Sequence, residues 1–102
     1  MSKKILRLYV AGSTVKTERV IDTLRSICAE ELHGEYELEV IDVIQQPQLA
    51  EDQRIIAIPT LIRILPEPIR RVIGDLVDKD TVLIGLDLQT TQETPSDNKG
   101  GK

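Results

Sequence analysis

Residues 5–10 read ILRLYV, an apolar run broken only by Arg7. Near-continuous apolar character suits a strand buried on both faces, in a sheet covered by helices. That requirement constrains the chain more than any other feature, because the rest of the chain must supply the cover. Ala11, Gly12 and Ser13 end the run. Val20, Ile21, Leu24, Ile27, Cys28 and Leu32 then recur at three- and four-residue steps, which places them on one face of a helix. Ser13, Thr14 or Thr17 is positioned to cap its start, and Gly34 to stop it. Residues 36–43, YELEVIDV, alternate mostly with period two, the pattern of a second strand. Strand, helix and strand of these lengths make a βαβ unit with parallel strands.

The second half is less regular. Pro47 suits the first position of a short helix that continues through Asp52 and ends by Arg54. Residues 55–65, IIAIPTLIRIL, are strongly strand-like, but Pro59 interrupts them. A central strand loses a ladder donor at proline, so we expect the strand to begin at Thr60, after a turn that a cis Ile58–Pro59 bond would make. Leu65-Pro66-Glu67-Pro68 forms a stiff turn, and Ile69 to Ile73 a fourth strand ending at Gly74. Residues 75–89 fit two templates. Asp75, Asp78 and Asp80 favour a helix start, yet Val82, Ile84, Leu86 and Leu88 alternate as in a strand. Gly85 weakens a helix by roughly 1 kcal/mol against alanine. Residues 89–102, QTTQETPSDNKGGK, have no large apolar residue and read as a disordered tail. The expectation is one α/β domain over residues 1–88, thioredoxin-like in its β-α-β-α-β-β-α order, with a tail over 89–102.

Composition narrows the function. The 102 residues include no Phe and no Trp, so Leu, Ile and Val must pack the core. A net charge of −4 and the lack of stacking aromatics argue against a nucleic-acid partner. Cys28 is the only cysteine. It allows no intrachain disulfide and no cysteine-based zinc site, and it fits a reducing compartment. No apolar stretch of about 18 residues suggests a membrane span, so a cytoplasmic location is expected.

Catalytic signatures do not assemble. In a redox thioredoxin a cysteine pair opens the first helix, where the helix N-terminus lowers a thiol pKa. Here that stretch is Gly12-Ser13-Thr14-Val15-Lys16-Thr17. Cys28 reads as core packing, His33 as a helix-end residue, and the three aspartates as caps. No catalytic residue, metal site or cofactor is expected. Arg19, Arg63, Arg70 and Arg71 are either a scattered solvated set or an interface for an acidic protein, since Arg is enriched at contacts.

Six colinear blocks carry a resemblance: LYVAG at 8–12, VIDV at 40–43, PQLAE at 47–51, PTL at 59–61, RRVIGDL at 70–76 and VLIGLDL at 82–88. They resemble the KaiB circadian-clock family, and more loosely the thioredoxin-like sensory domain of the clock-output histidine kinase. Ser13-Thr14-Val15-Lys16, Ile58 and Glu67 depart from the central members, as in a divergent paralogue. The resemblance implies a non-catalytic regulator. It would bind the N-terminal ATPase ring of the hexameric KaiC, capture KaiA and favour KaiC dephosphorylation. It also implies two folds, the thioredoxin-like monomer and a rearranged ground state that assembles as a homotetramer. A fold switch needs two packings within a few kcal/mol, and residues 75–89 are ambiguous enough to serve one. By this resemblance Gly85 and Asp87 bear on the balance, with Pro59, Pro66 and Pro68 as turn residues whose isomers can separate two states. Other readings of the same residues are a KaiC-independent adaptor or stress-response module, and a thiol-binding redox-type enzyme acting at Ser13.

Overall fold

The computed structural model describes residues 3–88; the tail expected over 89–102 lies outside the described residues. Strand β1 (Ile5–Val10) leads to helix α1 (Val15–Ser26), which continues as a π-helical turn over Ile27–Glu31. Strand β2 (Glu37–Asp42) and the short helix α2 (Pro47–Asp52) come next. Strands β3 (Thr60–Leu65) and β4 (Arg70–Ile73) precede helix α3 (Lys79–Gly85). The sheet order is β2-β1-β3-β4. β1 runs parallel to β2 and antiparallel to β3, and β4 runs antiparallel to β3. This is the expected thioredoxin-like arrangement.

β1 is interior, and its composition explains why. Leu6, Leu8 and Val10 face one side and join a cluster with Val20, Leu24, Ile27, Cys28 and Leu32 from the first helix. Leu61 and Val72, neighbours in register across β3 and β4, extend the cluster. Leu76, Val82, Leu83 and Leu86 close it from α3 and its approach. Each leucine fully withdrawn from water contributes about 1.5–3 kcal/mol, so aliphatic residues alone suffice for a core of this size. Tyr9 and Ile62, both wholly buried, belong to the opposite face. There Arg7 and Glu39 are register partners and pair at 2.8 Å. The Arg71 guanidinium donates to the Gln53 carbonyl just past α2, which ties that helix to this second face.

Local chemistry sets the element ends. The Thr14 hydroxyl accepts from the Thr17 amide at 3.1 Å and caps α1. The widened turn at its end is sealed by Leu32 N–H donating to the Ile27 carbonyl at 3.0 Å, the i→i+5 bond of a π-turn. His33 and Gly34 both adopt left-handed φ, 57° and 71°, and the Gly34 amide donates to the Cys28 carbonyl at 2.8 Å, which satisfies one of the carbonyls left open at the helix end. Pro47 opens α2. β3 begins at Thr60, directly after a cis Ile58–Pro59 bond. The Pro66 and Pro68 bonds are cis as well.

The ambiguous stretch resolves as helix from Lys79 to Gly85. The Asp78 carboxylate accepts from the Asp80 amide at 3.2 Å and from the Thr81 hydroxyl at 2.8 Å, while Val82, Leu83 and Leu86 enter the core. Capping and packing together outweigh the strand alternation. Ile84, which alternation groups with Val82 and Leu86, is instead 59% exposed.

Candidate functional site

The segments at the start of β3 and the end of β4 meet the first turns of α1 around a groove of about 690 Å³. Ile58, Ile73 and Val77 supply apolar walls and are 41%, 55% and 46% exposed. Lys16 and Arg19, one helical turn apart, stand on the α1 side, and Asp75 on the other. Among the described residues the ion pairs involve Lys4, Arg7, Arg70 and Lys79, so neither Lys16 nor Arg19 is neutralised. The Asp75 carboxylate is turned to its own loop and accepts from the Val77 amide at 3.2 Å. The groove thus combines an apolar slot with two cations that have no ion-pair partner among the described residues, on a chain that is acidic as a whole.

The groove adjoins the stretch where a redox thioredoxin carries its cysteines. Here the polar groups of that stretch serve structure. Ser13 Oγ donates to Glu18 at 3.1 Å, and Thr14 caps α1. The Gly12 and Ile44 amides both donate to Asp42 Oδ1, at 3.1 and 2.9 Å, which ties the β1–α1 loop to the end of β2. Cys28 lies in the core, beyond the groove-lining residues of α1, and burial pushes its thiol pKa up. A neutral, buried thiol is a packing group.

The four arginines expected to act together are not brought together. Arg19 is on the groove. Arg63 points inward and is 5% exposed, because residue 63 shares its sheet face with Leu61 and Leu6, beneath α3. Its Nη1 donates to the Leu86 carbonyl at 2.8 Å and its Nη2 to the Pro68 carbonyl at 2.9 Å. Arg70, next to Arg63 in register, reaches the Asp87 carboxylate at 3.9 Å. Arg71 lies on the opposite face, against Gln53. Strand alternation separates Arg70 from Arg71, and a cluster in sequence becomes two sites in space.

The five turn and helix-end residues fall in three places. Pro59 lines the groove. Pro66 and Pro68 form the β3–β4 turn that Arg63 grips. Gly85 is the last residue of α3, where a Cβ would stand 2.6 Å from Val72 Cγ2; only glycine permits this approach of helix to strand. Asp87 has φ 60°, a left-handed conformation that non-glycine residues rarely adopt outside Asn and Asp. Lys16, Ile58, Ile73 and Val77 were not singled out by the sequence pattern. The available signal was an isoleucine beside a turn, at Ile58-Pro59 and again at Ile73-Gly74, where a buried role is not forced.

Comparison with known proteins bears directly on this arrangement. The N-terminal domain of SasA from Synechococcus elongatus superposes with a TM-score of 0.68 at 28% identity, over 82% of this chain and 81% of that one. Mitochondrial thioredoxin 3 from Saccharomyces cerevisiae gives 0.66 at 15% identity, over 85% and 79%, a likeness of fold alone. In sequence, the circadian clock oscillator protein KaiB of Prochlorococcus marinus (strain MIT 9515) is 54% identical over 98 residues, 96% of this chain and 91% of that protein. The protein of the same description from Synechococcus sp. (strain RCC307) is 60% identical over 84 residues, 82% of this chain and 76% of that protein. The family model of the KaiB domain matches residues 7–88. With the thioredoxin-like fold in place and the thiol chemistry of thioredoxins missing from its groove, the chain belongs to the KaiB family of circadian clock proteins.

Proposed function

We propose that this non-catalytic circadian clock regulator acts by docking the groove face on the N-terminal ATPase ring of a KaiC-type hexamer. The observation that carries the reading is the pair of unneutralised cations, Lys16 and Arg19, beside the apolar slot of Ile58, Ile73 and Val77. Apolar anchors with a charged rim are how protein interfaces divide affinity from specificity and encounter rate. Arg70, beside Asp87, and Arg71, against Gln53, lie outside the groove and act as weaker contributors, and Arg63 acts from inside. Docking in turn presents the bound form to KaiA and moves KaiC toward its dephosphorylated state.

A second fold belongs to the same proposal. The chain binds as a thioredoxin-like monomer and rests in part as a homotetramer with a rearranged second half. The short α3, with glycine as its last residue and a left-handed Asp87 behind it, is the element that such an exchange would remodel.

The test is a titration of the full chain against the KaiC-type ATPase of the same organism, with nucleotide present. Lys16→Glu combined with Arg19→Glu should weaken binding at least about tenfold, and added salt should slow association of the unsubstituted chain. Unchanged affinity in the double variant would remove the groove from the interface. Sedimentation with backbone chemical shifts for Val82 to Leu88 tests the second fold: strand-like shifts in a tetramer support it, and helical shifts at all concentrations discard it.

A further inference from the structure

Arg63 is an unusual core residue. It is 5% exposed, yet no carboxylate lies within ion-pair distance of it among the described residues. Its Nε has no hydrogen-bond partner there either. A buried cation without a counter-ion is costly unless its donors are engaged. The two terminal nitrogens each find one carbonyl, Leu86 just past the last turn of α3 and Pro68 in the β3–β4 turn. Both are main-chain acceptors, and they belong to elements that are separate along the chain. The Leu86 carbonyl is also at the negative end of α3, where a cation is favoured. Arg70 stands beside Arg63 in register and reaches Asp87 from the same side. Two like charges directly opposite on paired strands repel, and residues 86 and 87 at the end of α3 give each of them an acceptor.

The geometry points to Arg63 as a mechanical link between the β3–β4 turn and α3, so that the turn's conformation controls whether the helix stays docked. A planar guanidinium spans two acceptors at fixed separation, which a single ammonium does not. When the turn moves the Pro68 carbonyl away, Arg63 is left buried with one donor group unmet and is driven toward water. Leu86 then loses its partner, and α3 is freed at its weaker end. The link also runs in reverse: undocking α3 releases Arg63 and loosens the turn. It is a property of the thioredoxin-like fold itself and stands whether or not the groove binds a KaiC-type ring.

Hydrogen exchange on the full chain, read peptide by peptide, tests it. Arg63→Met keeps an unbranched apolar stem but removes the guanidinium and both of its engaged donors. It should raise exchange in residues 79–88 and in 66–70 by about tenfold or more, while residues 6–9 of β1 keep their protection. Arg63→Lys should give an intermediate increase. Pro68→Ala relaxes the turn and should speed α3 exchange in the Arg63 chain, with no further increase when added to Arg63→Met. Unchanged α3 protection in Arg63→Met would overturn the link, as would equal loosening of α3 and β1, or a full additional Pro68→Ala effect in the Met background. If Arg63→Met does not fold, the unsubstituted protein decides. The Arg63 Nη protons should be resolved and slow to exchange in NMR spectra; averaged, rapidly exchanging Nη signals would overturn the proposal.

Discussion

The β1-α1-β2 half and the β3-β4-α3 half cover the same sheet but are secured by different means. In the first, α1 has twelve regular residues, a hydroxyl cap at Thr14 and core residues at helical spacing. In the second, α3 has seven residues and ends on a glycine packed against Val72, with its last turn held by Arg63 and Arg70. Local preference and tertiary packing agree in the first half, which is the condition for one deep minimum. In the second, tertiary contacts choose between two local preferences of similar strength. A protein arranged in this way can lose α3 while keeping its parallel βαβ unit.

The sharpest way to break this comparison is a core truncation in each half. Leu24→Ala removes a wholly buried side chain from α1 and should lower global stability by about 2–5 kcal/mol in urea unfolding. Val82→Ala on α3 should cost less, about 1–2 kcal/mol, and hydrogen exchange should place the loss mainly in α3. Equal global losses would show that the two halves open as one unit.

Cap removal is the next test. Thr14→Ala should lower the unfolding free energy by about 1 kcal/mol. Asp78→Ala should accelerate α3 exchange about fivefold with a smaller effect on β1. Asp87→Gly relieves the left-handed φ and sacrifices only a long, exposed ion pair. It should favour the docked α3 by up to about 1 kcal/mol, read as slower exchange there.

Tyr9→Phe comes after these in size. The Tyr9 hydroxyl is buried without a well-formed hydrogen bond among the described residues, although it interacts with the Arg7 guanidinium and raises that group's pKa, so its removal should change stability by no more than about 1 kcal/mol. The smallest effect is at the exposed edge. The Lys4 ammonium, 2.7 Å from Glu35, holds that carboxyl below its ordinary range. A lowered folded value means that the contribution is present above the unfolded carboxylate pKa and fades as acid is added through the folded one. Titration by NMR should show the Glu35 midpoint rising in Lys4→Met, with little change in stability.

Most of the fold was legible in the residues alone. The apolar run at 5–10, the helical spacing from Val20 to Leu32 and the alternation at 36–43 each match one period well, and neighbours in sequence became neighbours in space. The start of β3 at Thr60 came from proline chemistry alone. The site was far less legible. Sequence proximity grouped Arg63, Arg70 and Arg71, but a strand sends successive side chains to opposite faces, and burial under α3 turned Arg63 into a tie within the core. The groove residues Ile58, just before β3, and Ile73 and Val77, at and after the end of β4, are far apart in sequence, and no local pattern joins them.

The sequence by itself determined the order of elements, the parallel βαβ half and an aliphatic core, because these rest on periodicity, caps and turn residues that act within a few positions. The tertiary structure decided the state of residues 79–85, the direction of Arg63 and the groove beside Lys16 and Arg19. Those depend on which carbonyls, walls and charges the folded chain brings together, and their energies exist only once distant segments have met.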